Sequence, residues 1–324
     1  MANYSAVDAQ STTYSRTGMH IPENFSAVVA RGLDEVFKRA LDEPMEGKPL
    51  YRTYPMKQRT ITFQSHYGLG TVEQNRDADE LPYDEKGLGF QFTLTANTYR
   101  GAIKIEQELV EDELYGVIRD LQSELSASYM RAQEYVLVDL FNRGIGDAYG
   151  TSPLLCEDGY FFIDEDRPNP FHKAQDWSNK ESAGAITPTS LYNVQLNFAA
   201  YKNERDLLSP MTLKQILCRP TDEKTLWEIV QSDMRPTDAM NAKNFQYGRF
   251  QYTVMNRLTS AYIYYYAGDS FQDSRNELYF GDRISPELST WTDGDNPNVT
   301  NQSIRGRYGI ACGRPYMWRA NVVS

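Results

Sequence analysis

The residues of this chain that could do chemistry are few: three histidines, three cysteines and one dense run of carboxylates. His20, His66 and His172 fall into no HExxH or His-x-x-x-His spacing, so they offer no preformed zinc-type ligand set. Cys156, Cys218 and Cys312 lie far apart and form no CxxC pair. They read as reduced, packed thiols rather than a disulfide framework. A GxSxG elbow is missing, as is any local signature of a nucleophilic cysteine. Glycines pair at Gly68/Gly70, Gly87/Gly89 and Gly144/Gly146, yet none extends to GxGxxG and no GxxxxGK[ST] occurs, so turns and caps account for them. Glu106, Glu108, Glu111, Asp112 and Glu113 could supply paired carboxylates for glycoside chemistry. The commoner cause of such a run is the start of a helix, where the dipole favours negative charge. The stretch 293–298 suggests a calcium loop, but Pro297 stands where a ligand is needed and Ile304 where the bidentate Glu belongs. No catalytic residue, cofactor or metal ligand is assigned, and an enzyme is not expected.

Bulk properties point elsewhere. The chain has 324 residues, 40% of them hydrophobic and 13% aromatic, and a formal net charge of −11. That is enough apolar material for a real core, and the wrong charge for a protein devoted to gripping phosphates. Like-charged copies repel, so self-association has to come from shape and buried apolar area. No stretch is apolar for long enough to span a membrane, and residues 1–20 lack the apolar centre of a secretory signal. Arg305, Arg307, Arg314 and Arg319 concentrate positive charge near the C-terminus, where pairing with acidic neighbours is the expected use.

The elements follow from periodicity. Residues 25–41 carry Phe25, Val29, Leu33, Val36, Phe37 and Ala40 at helical spacing. Ile61 and Phe63 alternate with polar residues, and Leu88, Phe90, Phe92 and Leu94 do so again, with an acidic segment between them: a long hairpin with a solvated tip. Legs of about nine residues reach roughly 30 Å, against a radius of gyration of about 20 Å for a compact chain of this length. Two strands alone are marginal in water, so such an arm needs other surface to cover it. An ordinary hairpin within a mixed sheet accounts for the pattern equally well. From Val110 to Leu140, apolar residues recur every three or four positions, predicting a helix over 108–142 of roughly 50 Å. Thr187-Pro188 opens another helix as cap and first residue. Strands are expected at 213–218, 250–254, 262–266 and 304–312, with a short one at 278–280 and a helix after Pro220. The class is α+β.

Several stretches resemble the major capsid proteins of tailed bacteriophages with the HK97-type fold, in particular Mu-like head subunits. YRGAIKIEQELVED (99–112) is similar to the family's strand leading into its spine helix, with Glu108, Leu109 and Asp112 in the usual E-L-x-x-D places. FNRG (141–144) resembles the helix end. LCEDGYFFIDEDRPNP (155–170) is similar to a Mu-like segment, but Arg167 stands where His is common. The stretch SLYNVQLNFAAYKNERDLLSPMTLKQILCRPTDEKTLWEIV resembles the helix, strand and helix of the axial domain.

The resemblance implies an N-arm with a short helix (1–50), an extended E-loop hairpin (51–100), and a peripheral domain (101–189) with the spine helix at 108–142. An axial domain (190–290) and a return strand to the peripheral domain (291–324) complete it. It implies a structural subunit that self-assembles into hexamers and pentamers of an icosahedral shell around double-stranded DNA, located in the virion capsid and, during assembly, in host cytoplasm. The DNA would be non-specific contents. No cofactor and no membrane are involved. A separate scaffolding protein, a portal and decoration proteins are the expected partners. Arg59, Phe63, Tyr67 and Leu69 on the hairpin are the candidate inter-subunit contacts. An encapsulin-type compartment shares the fold and is the alternative, followed by a soluble α+β enzyme.

Overall fold

A computed structural model describes residues 45–72, 83–106, 108, 112, 115–145, 155–171, 176–234, 243–292 and 299–323. The helix expected at 25–41 and the loop at 293–298 lie outside them. The chain divides into two compact units: residues 1–44, 100–130 and 286–305, and residues 45–99, 131–285 and 306–324.

The larger unit is built on a four-stranded sheet, in the order β10-β7-β5-β6. These strands are β5 (Gln215–Cys218), β6 (Gln251–Val254), β7 (Tyr262–Tyr266) and β10 (Trp318–Val322). β5 runs parallel to β6, while β7 runs antiparallel to both β5 and β10. Ile216, Leu217, Cys218 and Ile263 to Tyr266 are fully buried. That is why β5 and β7 read as unbroken apolar runs and not as alternation. Tyrosine in such a strand needs a partner for its hydroxyl: Tyr265 donates to Asn321 Oδ1 at 3.1 Å and Tyr264 to Phe141 O. Around Trp318 the rings of Phe141, Phe162, Tyr266 and Phe271 meet in edge and tilted contacts or stacks 4.7–5.7 Å apart.

Helix α2 (Pro188–Ala199) starts as its sequence dictates: Thr187 Oγ1 accepts from Ser190 N–H at 3.0 Å, and Ser190 Oγ accepts from Thr187 N–H at 2.9 Å. This reciprocal capping satisfies N–H groups the first turn would otherwise orphan. Leu191, Val194 and Phe198 form its buried stripe. A 3-10 turn (Pro220–Asp222) leads into helix α3 (Glu223–Val230), which buries Leu226, Ile229 and Val230.

A second four-stranded sheet has the order β1-β8-β9-β4, from β1 (Arg52–Pro55), β4 (Asn97–Glu106), β8 (Leu278–Thr292) and β9 (Val299–Cys312). β4, β8, β9 and helix α1 (Tyr115–Asn142) are long enough to contribute to both units. In the smaller unit a Cβ added at Gly101 of β4 would lie 3.2 Å from Leu125 of α1 and 3.6 Å from Ile304 of β9.

One expectation needs correction. The strand expected at 278–280 continues to Thr292. Pro286, which argues for a break, is tolerated because β1 pairs with β8 only from Tyr279 to Asp282; beyond that no β1 carbonyl needs its missing N–H. The long helix is described from Tyr115 to Asn142, 28 residues and about 42 Å; Glu108 is also helical, its carbonyl accepting from Asp112 N–H at 3.0 Å, while 109–111, 113 and 114 lie outside the described residues.

The hairpin, its seat and the candidate assembly surface

Strands β2 (Thr60–Tyr67) and β3 (Gly87–Thr95) form a two-stranded antiparallel sheet of their own. Their pairing runs from Thr60↔Thr95 to Tyr67↔Gly87, with an irregularity between Gln64 and His66. Both outer edges lack a strand partner among the described residues, an arrangement that invites further pairing.

Alternation gives the lower hairpin one apolar face. Ile61, Phe63, Phe92 and Leu94 turn it onto a seat of Met56, Ala96, Ala311 and Tyr279. Phe63 stacks on Phe92 at 5.0 Å and on Tyr279 at 5.1 Å, and meets Tyr54 edge-on at 5.2 Å. The seat is close enough to exclude side chains beneath it. A Cβ at Gly309 would lie 2.0 Å from Thr95 O, and one at Gly281 would lie 2.4 Å from Met56 Sδ. The root is tied by Ala96 N–H to Arg59 O and Met56 N–H to Asp282 O, each at 2.8 Å.

The far end is tied as well. Asp84 accepts from Arg205 Nη1 at 2.8 and 2.9 Å and from Gly70 N–H at 2.6 Å, and Arg205 Nη2 donates to Glu85 O at 2.7 Å. The Gly70 amide first, and then the guanidinium, hold the Asp84 carboxyl below its ordinary range. Arg205 is positioned by a tight turn in which Asn203 Oδ1 accepts from the amides of Arg205 and Leu207 at 3.1 and 2.9 Å, a side-chain mimic of a backbone turn. The hairpin is therefore not a free-standing arm: its root and one point near its tip rest on its own unit.

Apolar side chains remain in water on either side of the Asp84–Arg205 tie. Val72 is 100% exposed, Tyr83 89%, Leu88 67% and Leu69 60%. Clustered exposure of large apolar groups marks an interaction surface more often than a solvent face.

Beneath the hairpin lies an acidic pocket. The Glu157 side chain is buried, with neither carboxylate oxygen hydrogen-bonded. Ser65 of β2, Glu277, Arg314 and Asp158 surround it. Burial foremost, then the charge of Glu277, push its pKa up to about 8, with Arg314 opposing. Glu277, also raised by burial, accepts from Arg314 N–H at 2.6 Å. Burial and the Glu277 charge outweigh the opposing Arg314 and Ser65, so a proton on this buried carboxylate is the expected response.

Among the sequence candidates, Arg59 is exposed at the root, Phe63 is half-buried in its own seat and Leu69 is exposed. Tyr67 closes β2 opposite Gly87; its side chain lies outside the described residues. Val72, Tyr83, Leu88, Asp84 and Arg205 were not among the contact candidates read from the sequence. Leu88 carried a signal, the same alternation that found Phe90 and Phe92. Two of the four C-terminal arginines make the expected acidic pairs: Arg314 with Glu204 and Arg319 with Glu181. Arg167 is fully buried, donating to Asp158 at 2.6 Å and Phe162 O at 3.0 Å. A histidine there could not make both bonds while also reaching Asn179 Oδ1, as Arg167 Nε does at 3.3 Å. No metal-binding group of His, Cys, Asp or Glu occurs among the described residues.

A family model described as "Phage capsid protein" matches residues 91–323. No curated protein matches the chain. Among solved structures, the chain resembles the capsid of cyanophage P-SCSP1u, with TM-score 0.57 and 9% identity over 87% of this chain and 89% of that one. It also resembles the mature capsid of bacteriophage PhiM1, with TM-score 0.54 and 9% identity over 87% and 88%. Mycobacterium phage Patience gives TM-score 0.54 and 11% identity over 96% and 90%. At such identities the likeness speaks for the fold, the HK97-type capsid fold that the sequence resemblance implied. With most of its length matched by that family model, the chain belongs to the phage capsid protein family.

Proposed function

We propose that the chain is the major head subunit of a tailed phage, forming hexamers and pentamers that close into an icosahedral shell around double-stranded DNA. One observation carries this reading beyond the family: the hairpin leaves Leu69, Val72, Tyr83 and Leu88 in water, and its two outer edges have no strand partner among the described residues. Burial of those side chains against the next copy supplies an assembly drive that opposes the repulsion between subunits of net charge −11. Leu69 is the member of the original candidate set best placed for that contact, and Arg59 flanks it at the root. Phe63 acts by holding the hairpin on its seat. A second exposed aromatic group, Tyr192, Trp227, Phe245 and Tyr247 on and beside α2 and α3, suits contact between axial domains. Each contact can be weak, because every subunit makes several at once. Scaffolding, portal and decoration proteins are the partners the family resemblance implies. Assembly in host cytoplasm and residence in the virion follow from the same reading.

Electron microscopy of the purified chain tests it. Closed shells are expected from the native sequence, and a folded, unassembled protein from a variant lacking residues 68–87. Normal shells from that variant, or a native chain that stays monomeric at high concentration, would overturn the proposal.

A further inference from the structure

The smaller unit carries a basic sheet face, in a chain whose net charge is −11. Gly101 of β4 faces α1 and Ile304, since a Cβ there would meet Leu125 and Ile304. The alternate residues of β4 therefore point the other way, and Arg100, Ala102 and Lys104 are all exposed. On β9, beside β4 in the sheet, Ile304 is buried on the α1 side. Arg305, the next residue, thus turns to the face of Arg100 and Lys104. It is half-buried, and its Nε is buried without a hydrogen-bond partner. Elsewhere the arginines of this chain find carboxylates: Arg167, Arg205, Arg314 and Arg319 each have one. Arg100, Lys104 and Arg305 make no ion pair among the described residues, although Glu106 follows on the same face of β4. Ala102 presents only a methyl between Arg100 and Lys104, so a chain can approach closely there. β4 is also the last strand of its sheet among the described residues, which leaves room for an extended segment alongside it.

We propose that this basic face receives the acidic segment 73–82 of a second copy. The inference rests on the assembly reading above and adds to it the surface on which that segment lands. Charge selects the occupant. Within 73–82, Glu73, Asp77, Asp79 and Glu80 are offset by Arg76 alone, and the segment is bracketed by Val72 and Tyr83, both in water. Residues 1–44 spread six carboxylates and four cations over their whole length, a far thinner charge. Opposed charges of this kind steer the two copies and fix their register more than they add affinity, and salt weakens them. Apolar burial beside the segment supplies the affinity.

The test mixes intact native-sequence chains, one batch labelled with heavy nitrogen, lets them assemble, and treats them with a carbodiimide that joins an amine to a carboxylate in direct contact. The expected product is a peptide pair joining Lys104 to a carboxylate of 73–82, including pairs of one labelled and one unlabelled peptide. Arg100→Glu reverses one exposed charge of the face; it should cut that yield by about tenfold and leave the melting temperature unchanged. Three results would overturn the inference in shells seen by electron microscopy: Lys104 unreacted, Lys104 joined only within one copy, or Lys104 joined instead to residues 1–44. Each of these leaves the assembly reading standing. A native chain that forms no shells fails the assembly reading first, and this inference with it.

Discussion

Arg205 and Asp84, 121 positions apart in sequence, meet through paired contacts of 2.8 and 2.9 Å. The same arginine lies 5.0 Å over the Phe171 ring. This single tie fixes the outer part of the hairpin to a turn at 203–207, leaving the apolar side chains on either side of it in water.

Because Asp84 is solvent-facing, its tie should govern local motion rather than global stability. Arg205→Ala is expected to speed amide exchange at 84–88 by about tenfold or more, with little change in melting temperature. Hydrogen exchange followed by mass spectrometry reads both halves of that statement. Unchanged exchange at 84–88 would remove the tie from the account.

Phe63 and Leu88 should respond oppositely. Phe63→Ala removes the ring that joins Phe92 to Tyr279 and should cost about 2–3 kcal/mol in urea unfolding. Leu88→Ser removes a side chain that is 67% exposed, so stability should stay within about 0.5 kcal/mol while shell yield falls. Equal stability losses for the two would mean that the seat and the exposed face are wrongly separated.

The Glu157 pocket sets a pH dependence. Its folded pKa of about 8 lies above the ordinary 4.5, so the native state holds the proton more tightly than the unfolded chain. Stability should therefore fall as pH rises from about 4.5 to about 8 and level off above, by on the order of 2–4 kcal/mol. Glu277 adds to the slope in the same direction. Glu157→Gln keeps the volume without the charge and should flatten much of the curve. Denaturant unfolding of both chains at four or five pH values measures it; a slope unaltered by the substitution would contradict the assignment.

Gly309→Ala places a Cβ 2.0 Å from Thr95 O, where only backbone movement can make room. A loss of about 1–3 kcal/mol is expected, measured by urea unfolding and accompanied by loosening of the hairpin root. A neutral substitution would show the seat to be more pliable than its geometry indicates.

What could be read from the sequence was local. Alternation at 61–63 and 88–94 located both hairpin strands, and Thr187-Pro188 located the start of α2, because each signal lies within a few residues of its effect. The seat was not legible: Tyr279 and Ala311 join Phe63 only after β8 and β9 have paired, and nothing near Phe63 announces them. The Arg205–Asp84 tie escaped for the same reason, since one charged residue among many gives no hint of a partner so distant. The full length of β8 was not legible either: the strand runs on to Thr292, well past the stretch from Tyr279 to Asp282 that pairs with β1. Arg167 looked like a departure from the family pattern, and its burial among Asp158, Asn179 and Phe162 gives that departure a structural role.

The central claim is that apolar groups near the hairpin tip lose their water to an adjacent subunit. Hydrogen exchange compared between purified shells and unassembled subunits tests it most directly. Strong added protection at 66–72 and 83–90 on assembly is the predicted result. Identical exchange at those positions in both forms would contradict it.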